Sequence, residues 1–391
     1  MPKRETGRYE TTVAGGDRVR AFVPHPLPPA SPPLRIDGDL ADRIRDAEQA
    51  LVRLELAGTM VPSLDWFIYA FVRKEAVLSS QIEGTQATLM DLLNYEVDDE
   101  AVPPNADVEE VCNYLDALSF AREQFADSNG LPISMRLLNQ THQLLLRGAR
   151  GESKQPGEIR RSQNWIGGSR PSNAVYVPPP PNMLPAALSA LETYIHSKAE
   201  HEPIVRAGLL HVQFETIHPY LDGNGRIGRL LVTLLLEHWG LLTRPLLYLS
   251  LFFKRHRQEY YRRLDAVRTE GAWEAWLDFF LDGVKTIADE AVETSRDLFT
   301  LVAGDRNRVI HRVGVNMLAV QLFERLPAHP LVTAPWVVQA LSTTKPTAGR
   351  AIGALVDAGV LAEVTGKKRD RVYAYRGYLD RLRTGTELGE E

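Results

Sequence analysis

Between residues 40 and 300 the apolar side chains recur at helical spacing in one run after another, and that period leaves little but a helical assembly. ADRIRDAEQALVRLELA, LDWFIYAFVRKEAVLSSQIEG, DVEEVCNYLDALSFAREQF and SMRLLNQTHQLLLRGA each read as an amphipathic helix. After an interruption the pattern resumes in MLPAALSALETYIHSK, PIVRAGLLHVQFETI, RIGRLLVTLLLEHWGLL, YLSLFFKRHRQEYYRRLDAVR and WEAWLDFFLDGVKTIADEAVETSRDLFTLVAGDRN. The interruption, GESKQPGEIRRSQNWIGGSRPSNAVYVPPPP, is rich in Gly, Pro, Ser and Asn. Its pieces QNWIG and AVYV favour strands around GSRPSN, which predicts a small hairpin closed by Pro178 to Pro181.

The two ends have a different texture. FVPHPLPPASPPLR predicts a proline-rich arm over residues 1–39, extended on the surface or partly disordered. Near the other end LVTAPWVVQAL reads as a short helix with Pro335 in its first turn. STTKPTAGRAIGALVDAGVL follows as a second helix, and AEVTGKKRDRVYAYR as two short strands around a basic turn. Helix, turn, helix and a two-stranded wing is a winged-helix arrangement, expected over 310–391. The fold expected is therefore mainly α: a helical core with one small β-hairpin, and a winged-helix module after it. At 391 residues, two or three domains are accommodated.

Composition excludes several classes. Hydrophobic residues at 44% and charged residues at 24% lie in the globular range and supply a sizeable core. A net charge of −5 excludes a chain that binds polyanions as a whole, while leaving local patches open. The one cysteine, Cys112, excludes an internal disulfide, fits a reducing compartment, and is expected in the core. MPKRETGRYETT has no apolar stretch, and LLVTLLLEHWGLL is short and carries Glu237 and His238, so neither a signal peptide nor a membrane span is expected. A cytoplasmic protein with no membrane partner is the expectation.

Chemistry concentrates in HPYLDGNGRIGR, His218 to Arg229. A loop Asp-Gly-Asn-Gly ahead of a strongly helical run presents backbone N–H groups at a helix N-terminus, and Gly223 and Gly225 leave room for close approach. Arg226 and Arg229, three apart, share one face of that helix. Two guanidinium forks beside an anion nest suit a polyphosphate better than a single carboxylate. Asp222 has no place beside an anion unless a Mg²⁺ bridges it to phosphate oxygens. His218, neutral at physiological pH, would take the proton of an attacking hydroxyl. Singly, DGNG is a turn, a histidine before proline is helix punctuation, and paired arginines are a solvated face. Together they describe a phosphoryl- or nucleotidyl-transfer site.

HPYLDGNGRIGR resembles the signature of the Fic (filamentation induced by cAMP) family, His-Pro-Phe-x-Asp/Glu-Gly-Asn-Gly-Arg-x-x-Arg, with Tyr220 in place of Phe. The resemblance extends to the helical setting of roughly residues 40 to 300. It implies a protein adenylyltransferase that moves AMP from ATP to a Ser, Thr or Tyr hydroxyl of a target protein. It further implies His218 as general base, Asp222 holding Mg²⁺, and a nucleotide site of Asp222, Gly223, Asn224, Gly225, Arg226, Ile227, Gly228 and Arg229. Arg226 and Arg229 would take the β- and γ-phosphates. SSQIEG, Ser79 to Gly84, resembles the family's inhibitory pattern Ser/Thr-x-x-x-Glu-Gly/Asn. Glu83, presented to Arg229 as a bidentate partner, would occupy the place of the γ-phosphate; an exposed glutamate before a helix-ending Gly84 is the plainer reading. The hairpin Trp165 to Val177 resembles the family's flap, with Gly168, Ser169, Asn173, Ala174, Val175 and Tyr176 aligning the target by main-chain pairing. Tyr260 and Tyr261 resemble a family element near the adenine, where core packing is the competing role. The implied division is an arm over 1–39, an N-terminal helical region with the inhibitory helix over 40–125, and a catalytic core over 126–300. Family members often modify themselves and often form homodimers, and the resemblance carries both expectations.

From Ser342 to Arg383 there are nine Lys and Arg against four acidic residues, a positive patch on a negative chain. An inward stripe of Ala348, Ile352, Leu355 and Val356 would leave Lys345, Thr347 and Arg350 outward, with GKKRDR as the wing. Such a module suits DNA phosphates, and equally a protein or dimer contact. Three readings stand. One is an autoinhibited adenylyltransferase. Another is an enzyme that removes AMP or uses another nucleotide donor. The last is a DNA-binding regulator whose core senses nucleotide, against which the intact His218 argues, since sensing phosphate needs no base.

Overall fold

The computed structural model describes residues 4–59, 64–97, 105–148, 150–198, 200–312 and 317–388. Its first element replaces the expected arm. Gly7–Ala14 (β1) and Asp17–Pro24 (β2) pair antiparallel from Gly7↔Pro24 to Ala14↔Asp17. The two glycines between them, Gly15 and Gly16, both take the positive φ that a tight hairpin turn needs. β2 buries Val19, Ala21, Phe22 and Val23. The prolines begin only where β2 ends, so they describe the connection to the first helix and not the segment before it.

The helical section then runs α1 (Gly38–Thr59), α2 (Leu64–Ile82), α3 (Leu89–Val97), α4 (Ala106–Ala126) and α5 (Met135–Leu145). After the interruption come α6 (Leu184–His196), α7 (Pro203–Ile217), α8 (Asn224–His238), α9 (Ser250–Arg255), α10 (Arg257–Glu270) and the 39-residue α11 (Trp273–His311). Asn105 and Ser134 cap α4 and α5 with side-chain oxygens that accept from Val108 and Leu137 N–H. The stretch 248–268, expected as one helix, breaks at His256, whose backbone leaves helical geometry and separates α9 from α10. α1 lies along α11, α4 against α5, α7 against α8, and α2 against α9. Cys112 is half-buried at the edge of this core, and burial pushes its thiol up to about 11, so it stays protonated. Among the described residues no helix is long and apolar enough to cross a membrane.

The expected hairpin at Trp165 to Val177 is not a strand pair. It closes through one β-bridge, Ile166 to Tyr176, and between them Pro171–Asn173 forms a 3₁₀ turn. Arg170 N–H donates to Asn173 Oδ1 at 3.0 Å and Asn173 Nδ2 to Ser169 Oγ at 3.2 Å, so side chains take the bonds a ladder would have made. Phe22 N–H donates to Val177 O at 2.9 Å, and Ala14, Val19, Ala21 and Val177 form a small apolar cluster. The N-terminal hairpin thus supports the segment Trp165 to Val177.

The C-terminal elements are α12 (Met317–Phe323), β3 (Leu331–Thr333), α13 (Ala334–Ala340), α14 (Lys345–Asp357), β4 (Ala362–Glu363), β5 (Val372–Ala374) and α15 (Arg376–Leu382). LVT, expected within a helix, is a strand: β3, β5 and β4 form an antiparallel sheet in that order. Thr333 ends β3 and caps α13 by accepting from Trp336 N–H. In α14 the buried stripe is Ala348, Ala351, Ile352 and Leu355, while Val356 is 36% exposed. One apolar core runs without interruption from Leu40 in α1 to Leu382 in α15.

Candidate active site

Helix α7 ends at His218, which takes a left-handed backbone (φ 51°) as its C-cap, and Gly223 with φ 74° precedes the first residue of α8. The loop between them is closed from inside. Asn224 Oδ1 accepts from Tyr220 N–H at 2.8 Å, and Asn224 Nδ2 donates to Tyr220 O at 2.9 Å. The Asn224 side chain is therefore spent on the loop, and only its backbone faces a ligand. The first backbone bond of α8 is Ile227 N–H to Gly223 O, so the N–H groups of Asn224, Gly225 and Arg226 lie ahead of the helical ladder. That is the anion nest. Ile227 itself is fully buried in the core and offers no ligand contact.

Two residues far from the motif hold the loop. His142 on α5 stacks on Tyr220 at 3.8 Å. Its Nδ1 accepts from Gly157 N–H at 2.9 Å, so Nε2 carries the proton and donates to Asp222 O at 3.0 Å. Burial lowers its pKa to about 4, which keeps that tautomer neutral. Arg160 donates from Nε to His218 O (2.9 Å), from Nη2 to Pro179 O (2.6 Å) and from its backbone N–H to Pro219 O (2.9 Å). It is a buried cation bonded to carbonyls rather than a carboxylate, and burial pushes it down to about 10.

The His218 ring is half-buried, and its Nδ1 has no hydrogen-bond partner among the described residues. Burial, with the charge of Arg160 next, lowers its pKa to about 4. It is neutral at physiological pH. Three residues before it on α7, Glu215 is buried against Gly228 and has an unpartnered Oε1; burial raises its pKa to about 7, with Arg229 acting the other way. The Gly228 carbonyl accepts from His211, whose Nε2 in turn accepts from Tyr260 OH at 2.8 Å. That bond and a 4.5 Å stack on Phe253 place Tyr260 in the core, not against a nucleotide base. Tyr261 is 43% exposed and remains accessible.

Glu83 and Arg229, expected from the sequence to pair in bidentate fashion, do meet, with a different geometry. Glu83 Oε1 accepts from Arg229 Nη2 at 2.7 Å through one bond, not two. Ser79 takes the rest of the fork: Arg229 Nε donates to Ser79 Oγ at 2.9 Å and Nη2 to Ser79 O at 2.8 Å. Gly84, with φ 99°, turns the chain away directly after Glu83. A Cβ added at Gly225 would lie 2.2 Å from Glu83 Oε1, so the carboxylate rests on the first turn of α8 itself. Burial pushes the Glu83 carboxyl up, and Arg229, with Arg226 and His218 behind it, outweighs that and holds it below its ordinary value.

Asp222 is half-exposed; its Oδ1 accepts from Gly223 N–H at 2.6 Å and lies 3.8 Å from Arg226 Nη2. Arg226 is buried and donates from Nη1 to Glu110 Oε2 on α4 at 3.3 Å. Among the described residues no cluster of three or more His, Cys, Asp or Glu is placed to hold a metal ion. Asp222 is the carboxylate of this loop that could serve as a ligand to a metal ion. In the flap, Gly168 has φ 75°, Ala174 packs on the small cluster, and Val175 is 75% exposed. Tyr176 faces inward, donating to Thr216 O at 2.6 Å beneath Arg268.

A helical core thus carries a glycine loop, two buried arginines and a neutral histidine at one helix start. Residues 41–123 match the Fic/DOC family N-terminal region and residues 132–236 match the Fic/DOC family. The chain is similar to a protein adenylyltransferase Fic of Aedes aegypti, at 34% identity over 135 residues, 34% of this chain and 24% of that protein. A protein adenylyltransferase Fic of Drosophila ananassae is 32% identical over 145 residues, 36% of this chain and 26% of that protein. The matched segments span about a quarter of the length of these curated relatives. The fold is similar to that of a Fic family protein from Desulfovibrio desulfuricans G20 (TM-score 0.57, 20% identity, 88% of this chain and 98% of that one). A Fic domain containing signaling protein from Bacteroides thetaiotaomicron VPI-5482 is similar over 64% of this chain and 95% of that one (TM-score 0.52, 19% identity).

Proposed function

We propose that this chain is a protein adenylyltransferase held in check by its own Glu83. The observation that carries the reading is the carboxylate seated on Gly225 and bonded to Arg229. A carboxylate already lies against the first turn of α8 beside the nest, which supports reading the nest as an anion site and Glu83 as its block. ATP would enter with its phosphates on the N–H groups of Asn224, Gly225 and Arg226 and its terminal phosphates on Arg226 and Arg229. The target hydroxyl attacks the α-phosphorus, His218 takes the hydroxyl proton, and pyrophosphate leaves as the bond to the β-phosphate oxygen breaks. Asp222 would hold Mg²⁺, which when bound neutralises charge on the phosphates. Tyr261, 43% exposed, would take the adenine, and the exposed edge near Val175 would take a segment of the target protein. The division at residues 39, 125 and 300 belongs to this reading as well.

The C-terminal module is proposed as a winged helix with DNA as its partner. The reading is supported by the exposure of Lys345, Arg350, Lys367, Lys368, Arg369 and Arg371 on one helix start and one turn. The enzyme proposal is tested by intact mass after incubation with ATP and Mg²⁺. An AMP-sized gain is expected in Glu83→Gly and absent from Glu83→Gly/His218→Ala. A gain that survives loss of the histidine removes the base assignment, and a gain of another nucleotide mass replaces the donor.

A further inference from the structure

Glu110 lies outside both motifs, on α4, and is 7% exposed. Three donors converge on it: Thr85 Oγ1 at 2.9 Å, Arg150 Nε at 3.0 Å and Arg226 Nη1 at 3.3 Å. Arg226 has no other hydrogen-bond partner among the described residues, and its Nε is buried with none. Thr85 is the second residue after Glu83, and its N–H returns to Ser80 O at the end of α2. One turn before Glu110, Asp107 accepts from Gln86 N–H at 3.0 Å and pairs with the same Arg150. Two carboxylates on one face of α4, joined by one arginine, thus hold the turn that follows Glu83 and the guanidinium that faces the nest.

We infer that Glu110 is a positioning residue with two ends: it fixes Arg226 for the phosphates of a bound nucleotide and ties that setting to the inhibitory turn through Thr85. The inference rests on the nucleotide reading of the nest. A buried guanidinium seeks a carboxylate. Besides Glu110, the acceptor near Arg226 is Asp222, 3.8 Å away. Without Glu110, Arg226 would close on Asp222, withdrawing a phosphate clamp and neutralising the carboxylate that faces the metal in one movement. With Glu110 behind it, Arg226 stays 3.8 Å from Asp222 and keeps Nη2 without a hydrogen-bond partner among the described residues. A bound phosphate then adds a charge-assisted bond without breaking one.

The test uses the full chain with Glu83→Gly as reference, MgATP titrated by calorimetry, and transfer followed by mass. Glu83→Gly/Glu110→Gln is expected to bind MgATP about tenfold more weakly and raise KM by a similar factor, with kcat within about twofold, because the lost contact is equal in ground and transition states. Glu110→Asp, one methylene short, is expected to recover part of the affinity. With Glu83 intact, Thr85→Val is expected to raise transfer about threefold by loosening the inhibitory turn. Unchanged MgATP affinity in the Glu110→Gln protein, or a loss confined to kcat, overturns the inference and leaves the nucleotide reading standing. A Glu83→Gly chain that binds no MgATP overturns both. If Glu110→Gln does not fold, the Thr85→Val arm decides, and no gain there overturns the tie.

Discussion

Replacing Glu83 by glutamine separates the two ways in which that residue blocks the nest. The carboxylate makes a single 2.7 Å bond to Arg229 Nη2, while Ser79 holds the guanidinium at Nε and shares Nη2. A hydrogen bond between charged groups contributes about 1.5–3 kcal/mol net, and a neutral one about 0.5–1.5 kcal/mol. Glu83 has a third of its side chain exposed, which places it at the lower end of the charged range. Glutamine keeps the volume over Gly225 and a bond to the guanidinium but loses the negative charge, so the closed state weakens by about 1 kcal/mol and the open population rises about fivefold. Glycine removes bond and volume together, so about 1.5 kcal/mol or more is lost and the gain is about tenfold or larger. The expected order of transfer rates, read as AMP-sized mass gain against time, is wild type below Glu83→Gln below Glu83→Gly. MgATP affinity by calorimetry should follow the same order. Glutamine as active as glycine would refute the role given to volume, and glycine no more active than wild type would refute the block altogether.

Three further outcomes are expected. The rate of the Glu83→Gly protein should stay flat from about pH 8 to about pH 5.5 and fall only as pH approaches 4, because the depressed His218 is the free base throughout that range; a pH-rate midpoint near the ordinary histidine value would contradict the burial argument. Asn224→Ala leaves the Tyr220 N–H and carbonyl unpaired and buried, which should cost about 2–4 kcal/mol in urea unfolding; a loss under about 0.5 kcal/mol would show that the loop closes without it. Gln81, between Ser79 and Glu83, donates to Thr386 O at 2.9 Å and accepts from Lys254, which also donates to Glu387 O at 2.6 Å. Gln81→Ala should speed hydrogen exchange across residues 384–388 without altering α1, and unchanged protection there would remove the clasp between the C-terminal segment and α2.

Much of the helical frame was legible because each long helix carries its own period, and burial of one face follows from spacing alone. The short helices were not. α3, α12 and α15 have nine, seven and seven residues, two turns or so, too few for a period to stand out from chance. The N-terminal hairpin was legible in principle: RYETTVA and RVRAFVP flank the turn residues GG. The prolines from Pro24 onward outweighed that signal, although proline acts only on its own residue and the one before it. The flap erred the other way. AVYV has strand composition, but Asn173 supplies side-chain bonds that end the pairing after one bridge.

The site divides along the same line. His218, Asp222, the glycines and both arginines are legible because twelve residues bring them together in one turn and one helix start. The residues that make this loop rigid come from elsewhere: His142 beneath Tyr220, Arg160 on the carbonyls of His218 and Pro179, Glu110 behind Arg226. Each sits in an ordinary polar slot of its own segment, so no local pattern marks it. Burial supplies the missing criterion. A charged or titratable side chain is rarely buried without a partner that needs it, and these three are buried on partners in or beside the motif. Tyr260 argues the converse. It lies in a segment that resembles a nucleotide contact, yet its hydroxyl is bonded to His211 and its ring is stacked on Phe253. Spacing nominates residues for a site, and the partner each one already holds decides which of them a ligand can still reach.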